Sequence, residues 1–241
     1  MKYLLPLVLL VLSTAQLTAQ RNYDDLLELV VDEKYERCLQ KCFKYIDGED
    51  TKKDPMPYLY ASMSYYRIHQ SDDPKLEERF PKAFKNSLKY LVKHRKKDKQ
   101  NEFFAEHQEF ISEVRLETMI EAEREVEQEK FTRSKGLYKY LTQIDENDPG
   151  AWMALAHSFY MMKSRKDAGL AWDEAKKILN EQGVDHLAEE QLELLKQTVI
   201  RNAEMLDELG ERGQAKEWLE MTQEYFADDK EFSVVYRTIV G

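Results

Sequence analysis

Cysteine is nearly absent: Cys38 and Cys42 are the only two in 241 residues. No disulfide framework can hold such a chain, so its fold must rest on apolar packing. Turn formers are scarce as well, with 8 Gly and 6 Pro. Strands need frequent punctuation by such residues, so the shortage argues against a sheet protein and for long helices with short connections. Positive charge is outweighed, 36 Lys and Arg facing 46 Asp and Glu, for a net charge of −10. That balance speaks against nucleic acid as a partner, because phosphates demand a basic face. Catalytic motifs are missing too: no Gly-x-Ser-x-Gly, Gly-x-Gly-x-x-Gly or phosphate-binding loop occurs. The histidines (His69, His94, His107, His157, His186) form no His-x-x-x-His pair. The sequence therefore predicts no catalytic residue, no metal and no cofactor.

Long apolar runs are also lacking, except at the start. Met1-Lys2-Tyr3 precedes an apolar stretch from Leu4 to Leu12, and small and polar residues run from Ser13 to Gln20. A positive start, an apolar core too short to span a bilayer and a small-residue region predict a signal peptide over 1–19. Cleavage after Ala19 is preferred to cleavage after Ala15. The mature chain, 20–241, is then exported, to the periplasm in a Gram-negative host, and keeps no stable membrane span.

What the chain has in abundance is helical periodicity. Apolar residues recur at three- and four-residue steps in Asp24–Val31, Tyr35–Ile46, Tyr58–Ile68, Leu76–Val92, Phe103–Glu129, Lys135–Ile144, Trp152–Met162, Lys166–Leu179, Leu187–Leu209 and Ala215–Phe226. Turn signals separate them: Asp47-Gly48, Asp54-Pro55, Asp72-Asp73-Pro74, Asp148-Pro149, Gly183 and Gly210. Phe232–Val240 reads as a final capping helix. The expected product is a series of antiparallel helix pairs.

One pair carries a specific pattern. Trp152-x2-Leu155-Ala156-x2-Phe159 is followed by Ala168-x3-Trp172 and Ala175. This resembles the tetratricopeptide repeat, a 34-residue helix–turn–helix unit in which small residues let two helices approach and large ones fill the space between. The same register recurs around Thr118, Ala122, Ser134 and Tyr138, and around Val199, Ala203, Ala215 and Leu219. It recurs again around Leu26, Cys38 and Cys42, and around Tyr58, Ser62, Ala83 and Ser87. The resemblance implies an all-α, right-handed superhelix of about five hairpins, over 21–48, 55–97, 100–147, 148–182 and 186–227, with a cap at 229–241. Glu125 stands where a large aromatic is usual, and the stretches Asn101–Val114 and Gly183–Leu195 read as extended helices that distort the superhelix.

In that family the outward face of each first helix lines a concave peptide-binding groove. Carried over, the face consists of Tyr23 and Leu27, then Leu59, Met63 and Tyr66, then Met119 and Glu123. Met153, His157 and Tyr160 follow, and Ile200, Glu204 and Asp207 come last. The resemblance implies a non-catalytic scaffold that binds another protein or a peptide segment along this face. The Met153/His157/Tyr160 cluster also admits a small-ligand or metal carrier. Cys38 and Cys42 read as small buried core residues rather than ligands, since no second ligand cluster accompanies them.

Overall fold

The computed structural model describes residues 22–241, and the expected signal peptide lies outside the described residues. Among the described residues there are 13 helices and no strand. The first five are α1 (Asp24–Val31), α2 (Tyr35–Asp47), α3 (Met56–His69), α4 (Pro74–Arg79) and α5 (Ala83–Lys97). Next come α6 (Glu102–Glu106), α7 (Gln108–Glu127), α8 (Phe131–Ile144), α9 (Pro149–Met161) and α10 (Arg165–Gln182). The chain ends with α11 (Glu189–Glu208), α12 (Arg212–Phe226) and α13 (Lys230–Ile239). Helices pack in consecutive pairs, α1 on α2, α3 on α5, α7 on α8, α9 on α10 and α11 on α12, and α13 closes against the last pair. Between pairs, α2 packs on α3, α5 on α8, α8 on α9 and α9 on α11.

Two expected helices are each broken in two. Leu76–Val92 is interrupted after α4, because Pro81 disfavours helical backbone at Phe80, whose φ is −127°. Phe103–Glu129 breaks at His107, φ −113°. The stretch Gly183–Leu195 is helical only from Glu189; α10 ends at Gly183, whose φ of +64° is open to glycine without strain.

Four of the hairpins turn by the same device. At Glu33, Glu129, Lys163 and Gly210 the backbone takes a positive φ. The next residue donates its N–H five residues back: Lys34 to Leu29, Lys130 to Glu125, Ser164 to Phe159 and Glu211 to Leu206, at 2.7–2.9 Å. This left-handed stop satisfies carbonyls that a helix end leaves open and reverses the chain in three residues. The pair α3–α5 lacks it, because α4 is inserted there. Asp73 starts that insertion, its carboxylate accepting from Lys75 N at 3.0 Å.

α9 is the helix the C-terminal half is built around. Pro149–Ala151, Met153–Ser158 and Tyr160 are all buried, as expected of a helix with neighbours on every side. α8, α10 and α11 supply those neighbours. Small residues make the approach feasible: a Cβ added to Gly150 would lie 2.7 Å from Leu195 N. Across the α8–α9 contact the Ser134 and Ser158 hydroxyls meet at 3.0 Å, and Ser62 and Ser87 do the same between α3 and α5.

Candidate functional site

The residues read as a groove face meet different fates. Leu59 and Tyr66 are buried, and α7 covers them with Phe110, Ile111 and Val114. Met153 is buried beneath Leu195, Val199 and Ile200 of α11. His157 is buried, and Tyr160 is too, its hydroxyl donating to Glu211 at 2.7 Å. Tyr23 is buried, with its hydroxyl on Asp54 at 2.5 Å. Met63 is half-buried, and Asp207 pairs with Arg212 at 3.3 Å. Leu27 alone in the α1 set is exposed. The physical reason is common to Leu59, Tyr66 and Met153: the face in question is where the next pair's first helix docks, so it forms core rather than an open wall.

Four of the expected residues share a cleft, although two of them, Met119 and Ile200, are buried. Met119, Glu123, Ile200 and Glu204 line one cleft of about 640 Å³ between α7 and α11. Ile120, Arg124, Glu127, Gln197 and Arg201 share it, and Glu231 of α13 closes one end. The volume falls in the range of ordinary ligand sites. Its apolar part continues onto the exposed side of α7, where Leu116 is 44% and Ile120 51% exposed. These two stand one helical turn apart and so present a single apolar stripe. Sequence reasoning missed Leu116, Ile120 and Arg201; the signal was available in two apolar residues four apart on an otherwise acidic helix.

A half-buried polar knot joins the walls of this cleft. The Glu123 carboxylate accepts a bidentate pair from the Arg201 guanidinium, joining α7 to α11. The same carboxylate accepts from the Tyr138 hydroxyl of α8 at 2.5 Å. Burial, and then the Glu123 charge, hold the Tyr138 hydroxyl protonated well above its usual range. Beneath, burial and the Arg201 charge push the His157 imidazole down to about 4, so it is neutral at pH 7. Glu123 thus ties α7, α8 and α11 together, accepting two bonds from Arg201 and one from Tyr138.

A second, larger cleft of about 920 Å³ opens beside α5, α8 and α10. Trp152, Leu155, Phe159 and Leu170 form its apolar floor, Arg95, Lys96, Lys99 and Lys139 one wall, and Asp167, Asp173 and Glu174 the other. Neither cleft is lined by Met153, His157 or Tyr160. Among the described residues no group of three His, Cys, Asp or Glu side chains is arranged to hold a metal ion, and no helix is long and apolar enough to cross a membrane. Cys38 and Cys42 are free and buried, their sulfurs 3.8 Å apart under α1. No protein-family model matches the chain, and no curated protein or solved structure matches it.

Proposed function

We propose that the protein is a non-catalytic interaction scaffold that receives a segment of another protein in the cleft between α7 and α11. The observation that carries the reading is the exposed stripe of Leu116 and Ile120 running into that cleft. Exposed apolar residues beside a formed cleft, on helices pinned by the Glu123–Arg201 pair, give a rigid docking surface at low ordering cost. The architecture in this reading is a right-handed superhelix of tetratricopeptide-like hairpins. Its support is the shared turn geometry, with Glu129 and Lys163 standing 34 residues apart at equivalent turns. The N-terminal apolar run supports export, with the periplasm as the compartment.

The test is affinity capture from the native envelope with wild type and with a Leu116→Arg/Ile120→Arg variant whose fold is verified by circular dichroism. A partner held by wild type and lost by the variant supports the cleft. A partner held equally by both overturns it. The alternative, a small-ligand or metal carrier at Met153, His157 and Tyr160, has less support, because those side chains are packed in the core.

A further inference from the structure

The charges around the α7–α11 cleft do not balance. Glu123 is consumed by Arg201, and Arg124 by Glu121 at 2.6 Å. Both basic groups of the lining are thus already paired. Glu127, Glu204 and Glu231 remain on the rim, and none of them forms an ion pair among the described residues. They come from three different helices, α7, α11 and α13, so this is not one acidic helix face turned to water. The tertiary fold converges them on a cleft whose apolar lining is Met119, Ile120 and Ile200. Partial burial, together with the nearby Glu231 and Glu208 carboxylates, holds the Glu204 carboxyl above its ordinary range. An ionised Glu204 is therefore in an unfavourable field that an incoming cation would relieve.

From the apolar stripe and this uncompensated rim we infer that the cleft's partner is a basic amphipathic helix, its apolar face on Leu116 and Ile120 and its Lys or Arg side chains on Glu127, Glu204 and Glu231. The inference rests on the docking reading above and specifies its partner. A helix suits the site because its lining runs along two helices, from Met119 to Glu127 on α7 and from Gln197 to Glu204 on α11. Each wall is about 12 Å long, matching roughly two turns of a docked helix. Apolar anchors one turn apart on α7 match the i, i+4 anchors of a helix laid in a groove. An acidic segment would meet three like charges, a cost that acts as a specificity filter.

The experiment uses the mature chain and three helix-forming peptides that share one Leu/Ile face and carry Lys, Gln or Glu at the flanking positions. Affinity is read by fluorescence anisotropy for wild type and for two triple variants. One is Glu127→Gln/Glu204→Gln/Glu231→Gln; the other removes equal charge elsewhere, as Glu181→Gln/Glu220→Gln/Glu224→Gln. The expected result is tightest binding of the Lys peptide, about tenfold weaker on the cleft variant and nearly unchanged on the control variant. Equal weakening on both variants would assign the attraction to net charge and overturn the inference. Equal binding of the Gln and Lys peptides, abolished by Ile120→Arg, would overturn the basic class and leave the docking reading standing. Binding of no peptide to wild type would overturn the inference outright.

Discussion

Gly150 in the first turn of α9 lies directly against the backbone of Leu195 in α11, so close that an added Cβ would sit 2.7 Å from Leu195 N and 2.9 Å from its Cα. The atoms in the way are main chain, which cannot swing aside. Gly150→Ala should therefore push α9 and α11 apart, costing about 1–3 kcal/mol as overpacked cores do, despite alanine's better helix propensity. Urea denaturation checks this. Because α11 forms one wall of the α7–α11 cleft, the same variant should also weaken peptide binding.

The shared hairpin turn makes the opposite prediction. Lys163 and Glu129 hold φ of +62° and +55°, where a side chain is strained and glycine is not. Lys163→Gly and Glu129→Gly should each raise stability, by roughly 0.5–1 kcal/mol. Thermal melts that fell instead would show that these side chains make contacts worth more than the backbone strain.

Arg115 of α7 and Asp148, the N-cap of α9, form an ion pair buried on both sides. Asp145 and Glu190 lie within 4.0 Å of the same guanidinium. Burial drives the Asp148 carboxyl up and Arg115 opposes it, the net being a raised value. Arg115→Met leaves Asp148 uncompensated and should cost about 3–5 kcal/mol. Asp148→Asn, which keeps the bond to Ala151 N and leaves the guanidinium with Asp145 and Glu190 nearby, should cost less. A double variant that costs less than the two singles together would demonstrate the coupling.

His94 and His157 contribute to the acid limb of stability, and burial lowers His107 in the same direction. His94 and His157 are both buried, and burial is the largest cause lowering each from 6.5 to about 4. The unfolded chain binds protons on these rings that the folded chain refuses. Stability is thus fully present above pH 6.5 and is lost as pH falls toward 4, by up to about 3 kcal/mol per histidine. His157→Leu should remove roughly half of that slope, measured as unfolding free energy between pH 7 and 4. An unchanged slope would mean that other groups govern acid unfolding.

Most helix positions were legible in the sequence, because periodicity and the turn signals at Asp47-Gly48, Asp148-Pro149 and Gly210 mark ends independently of packing. The breaks at Phe80–Lys82 and His107 were less so. Pro81 carried one signal, but nothing local at His107 separates a break from a continuous helix. The candidate site was legible in half. Periodicity says which side chains share a helix face, and Met119 with Glu123 and Ile200 with Glu204 do line one cleft. It does not say what covers that face. Met153, Leu59 and Tyr66 sit at the same register yet are core, since α11 and α7 pack across them. The pairing of Glu123 with Arg201, 78 residues apart, is a tertiary fact with no trace in local pattern.

The most direct test of the docking site is photo-cross-linking in the native cell, with a photoreactive residue placed at Ile120 in one protein and at Leu170, in the other cleft, in another. Both sites are exposed, so each reports what lies against its own face. The account predicts a discrete protein adduct at Ile120, lost when Glu204 and Glu231 are changed to Lys, and none at Leu170. An adduct at Leu170 with none at Ile120 would contradict it and move the working surface to the α5–α8–α10 side.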